Sequence, residues 1–175
     1  MPMAAETKVW TLEELHSLPD DGNTYELVRG ELFVTPAPTP SHETIASLLA
    51  RALDRYVESQ HLGFVYRPHA IMRFEGSEAE PDLMVSARVT NWDDAPTPIL
   101  IVEIGSPSTR RRDREQKRRF YMDSGVAEYW IVDPENRTIT AVRAGVPDVT
   151  ARETLVWQPA GATESLTVDV AAVFS

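Results

Sequence analysis

A chain of 175 residues with 42% hydrophobic and 25% charged residues is about one globular domain, and its lack of cysteine excludes disulfides and thiolate metal sites. No apolar run approaches the ~18 residues of a membrane-spanning helix, and the N-terminal MPMAAETK lacks the apolar core of a signal peptide, which predicts a soluble cytoplasmic protein with no membrane partner. The formal net charge of −10 argues against indiscriminate attraction to polyanions.

Thr11 with Glu14 three residues on forms a capping box and predicts a short helix that Pro19 closes. Residues 25–28 and 31–35 are β-prone runs about Arg29-Gly30, the pattern of a hairpin, and they carry two acids, Glu26 and Glu31. Prolines 36, 38 and 40 hand over to a helix over 40–60, capped by Thr39 or Ser41, with Ile45, Leu48, Leu49, Ala52, Leu53, Tyr56 and Val57 repeating at three and four. His42 falls in its first turn and Gly63 ends it.

Residues 64–66 and 70–74 read as strands and 75–77 as a turn, after which Glu80-Pro81-Asp82 leads into a strand over 83–85. Ile99 to Val102 form a continuous apolar run, which suits a strand covered on both faces. Glu103 ends that run with a charge, and a carboxylate there is costly unless it is paired, hydrated or bound to a cation. A turn over 106–109 precedes a helix over 110–124, which Gly125 stops. A hairpin over 128–143, a strand over 153–157 and a weaker segment over 166–173 complete the chain. The reading is one α/β domain over 1–175, a mixed sheet flanked by two main helices, with its core over about 11–143 and a C-terminal strand and tail extension over 144–175.

Residues 110–119 hold seven Arg or Lys against two Asp or Glu, a local charge of +5 that leaves −15 elsewhere. One basic surface on an acidic body suits a local nucleic-acid contact, and also an ordinary solvated helix face. Asp82 and Glu103, on neighbouring strands, can place their oxygens about one strand spacing apart, roughly 5 Å before side-chain reach is added. Such hard oxygen ligands hold Mg²⁺, which takes one or two carboxylates and keeps several waters. Asp113, Lys117 and Tyr121 are spaced by four on the next helix, so Lys117 can turn back toward both acids.

Glu80-Pro81-Asp82, followed 21 residues after Asp82 by Glu103, resembles the signature of the PD-(D/E)xK nuclease superfamily. The blocks Tyr25 to Glu31, His42, Val102-Glu103-Ile104, Ser106 to Thr109, the Asp113/Lys117/Tyr121 face and Glu128 to Pro134 are similar to the Uma-type family, bacterial proteins described as restriction endonucleases. The resemblance implies a restriction-endonuclease-like mixed β-sheet core flanked by helices, with an N-terminal helix and β-hairpin. It implies Asp82 and Glu103 as metal-binding carboxylates, with the Ile104 carbonyl completing the coordination. The superfamily's commonest pattern has a lysine two residues after the second acid, where this chain has Gly105, and Lys117 is the substitute expected. Glu31 and His42 match family positions and are secondary candidates.

These readings predict hydrolysis of phosphodiester bonds, in DNA, with Mg²⁺ or in its place Mn²⁺ at Asp82 and Glu103 and with Lys117 orienting water or neutralising charge. Arg110, Arg111, Arg112 and Arg114 are the candidates for flanking phosphates. The alternative is a nuclease-fold module that binds nucleic acid or a protein partner without turnover. A serine hydrolase using Ser106 and His42 is disfavoured, because GxSxG is absent and Pro107 lacks the N–H an oxyanion needs. A homodimer through an exposed sheet edge is compatible with the sequence.

Overall fold

The computed structural model describes residues 8–105 and 111–175, the side chains of 111–113 excepted. In chain order its elements are α1 (Leu12–His16), β1 (Thr24–Val28), β2 (Glu31–Thr35), α2 (Pro40–Ser59), β3 (Phe64–Tyr66), β4 (Met72–Phe74), β5 (Ser77–Ala79) and β6 (Leu83–Ser86). A 3₁₀ turn (Trp92–Asp94) leads to β7 (Leu100–Ile104), α3 (Arg111–Asp123), β8 (Glu128–Asp133), β9 (Thr138–Val142), β10 (Val149–Ala151), β11 (Thr154–Trp157), β12 (Leu166–Asp169) and α4 (Val170–Val173). The expected capping box is formed at α1, where Thr11 and Glu14 bond each other's backbone N–H groups.

The expected single sheet is divided into three. A six-stranded sheet of order β10-β9-β8-β7-β6-β3 forms the centre, a four-stranded sheet of order β2-β1-β5-β4 packs beside it, and β11 and β12 pair with each other. In the central sheet β7 and β8 run parallel, joined through α3, and the other neighbours are antiparallel. Two short strands were not legible in advance. β5 reads as a polar turn until it pairs with both β4 and β1, and β10 becomes a strand by pairing with β9.

Alternation along the central strands divides the core into two layers. Leu83, Val85, Leu100, Val102, Trp130 and Val132 meet Ile45, Leu49, Leu53 and Val57 of α2. Met84, Ile101 and Tyr129 point the other way and meet Phe120 and Tyr121 of α3 with Val28, Met72 and Ala79 of the smaller sheet. This is the two-sided burial that the apolar run before Glu103 implied. Trp157, Leu155, Val168 and Val173, from the segment after 143, pack into the α2 layer.

Two local devices orient this frame. Thr39 caps α2, its Oγ accepting from the His42 N–H, with Pro40 in the first turn. Gly63 has a φ of +120° and its missing Cβ would fall 2.2 Å from the Ser86 carbonyl oxygen, so β3 can leave α2 and lie against β6 only with glycine there.

Candidate active site

Glu103 is the fourth residue of β7, on the α3 face with Ile101. The β6–β7 register pairs Leu83 with Val102, and one step further brings Asp82 beside Glu103 at the strand ends. The two sequence-predicted acids therefore converge. Lys117 converges with them: α3 lies over this face, and Lys117 Nζ stands 3.0 Å from Glu103 Oε1 and 2.7 Å from Glu26 Oε2. Tyr121, one turn on, donates to the same Glu103 oxygen at 2.5 Å.

Asp82 is held from two sides. Its Oδ2 accepts from the Ile104 N–H at 2.7 Å, and its Oδ1 lies 3.1 Å from His42 Nε2 at the start of α2. Among the described residues His42 Nδ1 is buried without a hydrogen-bond partner. Glu31 Oε2 accepts from Gln116 of α3, the residue before Lys117, at 2.8 Å. Ser106 and Arg110 lie outside the described residues, as do the side chains of Arg111 and Arg112. Arg114 meets Asp133 at 3.3 Å.

Glu26 is the member that sequence reading passed over. It is 2% exposed, its Oε1 accepts from the Glu80 N–H at 2.9 Å, and its Oε2 takes Lys117. The available signal was an acid at an interior position of an otherwise apolar hairpin strand, Tyr25-Glu26-Leu27-Val28. A carboxylate buried to that degree needs a fixed cation and donor, and it has both.

Burial is the largest influence on Glu103 and raises its pKa to about 7; Lys117 acts against that rise, while Glu26 and Asp82 add to it. Burial disfavours the Lys117 ammonium too, but Glu103 and Glu26 together overcome it and hold the proton more firmly than on a free lysine. The hydrogen bond to Asp82 raises the His42 pKa against the effect of burial. Burial, and then Glu103, moves the Tyr121 phenol upward, so it stays a donor. Glu26 and Asp82 thus press Glu103 to keep its proton, a pressure that a bound cation would relieve.

Among the described residues, no group of three or more His, Asp or Glu side chains is arranged to hold a metal ion. The donor set fits a cation that takes few protein ligands. Among the described residues the side-chain hydrogen bonds to Glu103 both arrive at Oε1. A strand residue points its N–H and C=O to the same edge, so the Ile104 carbonyl lies on the side where its N–H meets Asp82. Two carboxylates, one carbonyl and water are the hard oxygen donors Mg²⁺ prefers.

The fold is matched by a crystal structure described as "a putative nuclease belonging to DUF820" from Anabaena variabilis ATCC 29413, with a TM-score of 0.79 and 22% identity over 94% of this chain and 97% of that one. The chain therefore has that protein's fold, a restriction-endonuclease-like mixed α/β architecture. The family model Uma2, described as "Putative restriction endonuclease", matches residues 12–171, and the chain belongs to that family. No curated protein matches it. Among the described residues no helix is long and apolar enough to cross a membrane.

Proposed function

We propose that this protein is a divalent-metal-dependent endonuclease that hydrolyses phosphodiester bonds in DNA. The convergence of Asp82, Glu103 and Lys117 at the paired ends of β6 and β7 carries this reading. The family description, "Putative restriction endonuclease", supports DNA as the substrate.

Asp82 and Glu103, with the Ile104 carbonyl, would hold Mg²⁺, or Mn²⁺ in its place. When bound, such an ion polarises a phosphoryl oxygen and lowers the pKa of water. Lys117 keeps its charge because two carboxylates flank it, and from beside Glu103 it orients the attacking water or offsets negative charge developing on the phosphate. Tyr121 fixes the orientation of Glu103, and His42 and the Ile104 N–H fix that of Asp82. Holding these oxygens in place before substrate arrives reduces reorganisation during the reaction.

Purified protein assayed on duplex DNA, single-stranded DNA and RNA is expected to cut DNA with Mg²⁺ or Mn²⁺ and not with EDTA. Asp82→Ala and Glu103→Ala are expected to lose on the order of 100-fold or more in rate, and Lys117→Ala a comparable amount. Unchanged cleavage in folded Asp82→Ala and Glu103→Ala would overturn the assignment. Binding without cleavage by the wild type under every metal would favour a module that has lost turnover.

A further inference from the structure

Gly105 continues β7, its N–H donating to the Val132 carbonyl at 2.8 Å. By strand alternation it shares a face with Glu103, about 7 Å away along the chain. That face is not empty at position 105. A Cβ on Gly105 would fall 2.6 Å from Arg114 Nη2 and 3.3 Å from Arg114 Cζ, so the guanidinium rests directly on bare backbone. From the other side Arg114 Nη1 meets Asp133 Oδ2 at 3.3 Å, and Asp133 is itself fixed by the backbone N–H and side-chain amide of Asn136.

The guanidinium is seated but incompletely used. Among the described residues Arg114 Nε has no hydrogen-bond partner, while the side chain as a whole stays 33% exposed. A planar guanidinium that stays partly exposed, on the β7 face that Gly105 shares with Glu103, matches the oxygens of a phosphate.

We propose that Arg114 is a substrate-binding residue that grips a non-bridging oxygen of the DNA phosphate beside Glu103, and that Gly105 is glycine to leave room for it. This rests on the nuclease reading for the identity of the ligand. Two other cations of α3 are engaged elsewhere: Arg118 is paired with Asp148, and Lys117 is enclosed by Glu26 and Glu103. The placement of Arg114 also accounts for the residue two positions after the second acid, because the space a side chain would occupy there already holds a cation.

The test is DNA binding in EDTA, by fluorescence anisotropy on a labelled duplex, with cleavage in Mg²⁺ measured separately. Arg114→Ala is expected to weaken binding about 10-fold, the scale of a charge-assisted hydrogen bond, and to lower the salt slope by about one. Arg55→Ala, exposed toward the far end of α2, removes the same charge and is expected to change binding less than twofold. Arg114→Lys is expected not to restore affinity. Gly105→Ala, which displaces the guanidinium, is expected to reproduce the loss, and the double variant to lose no more than either single one.

Equal binding by Arg114→Ala and Arg55→Ala would overturn the proposal, as would losses at 105 and 114 that add in full. If Gly105→Ala does not fold, Arg114→Ala and Arg114→Lys still decide it. A wild type that binds with the Arg114 deficit yet cuts nothing would retain the phosphate contact and sink the nuclease reading. Cleavage by the wild type with no Arg114 deficit in binding would do the reverse.

Discussion

Lys117 lies between Glu103 and Glu26, and the three form a buried charged group in which no member can be removed cheaply. Glu103 holds its proton to about pH 7 in this environment, well above an unfolded glutamate. The folded state therefore binds more protons than the unfolded state between about pH 4.5 and pH 7. By linkage, the contribution of Glu103 is full below that window and is lost as the pH rises through it. In EDTA, the urea midpoint of the wild type is expected to fall from pH 5 to pH 7.5 relative to that of Glu103→Gln, whose amide does not titrate. Parallel pH profiles for the two proteins would count against this account of the site.

At the scale of elements, α2 does two jobs. Its apolar stripe covers one face of the central sheet, and its first turn delivers His42 to Asp82. The Thr39 cap links them, because its hydroxyl accepts the N–H of His42 itself. Thr39→Ala is expected to cost about 1 kcal/mol in chemical denaturation, and Thr39→Asp to recover most of it. A cap that contributed nothing would leave both variants with the wild-type midpoint. The strand pair β6–β7 is the other positioning element, since its register alone places Asp82 and Glu103 side by side.

At the scale of the molecule, the segment after β9 is built into the core. Trp157 is 1% exposed and packs against Trp130 of β8 and Tyr56 of α2, at ring-centroid distances of 5.8 and 5.6 Å. Trp157→Ala is expected to cost about 3–5 kcal/mol, the range for deleting a buried large aromatic. The loss should appear in one cooperative transition, with near- and far-UV circular dichroism changing together. Two separated transitions would show the C-terminal segment melting independently of the strands that carry the site.

Local patterns determined much of this protein. The capping box at Thr11, the hairpin about Arg29-Gly30, the three-and-four spacing of α2 and the apolar run before Glu103 each specify an element through contacts a few residues apart. Asp82, Glu103 and the inward turn of Lys117 were legible for the same reason, since strand ends and helical spacing are local geometry. Tertiary structure decided what depends on partners distant in sequence. β5 is a strand because β1 and β4 flank it, and Glu26 is part of the site because α3 carries Lys117 onto it across 91 positions of chain. At Gly105 the space a side chain would take is filled by Arg114, nine positions on. Side-chain placement of this kind follows from the packing of α3 on the sheet, which no periodicity encodes.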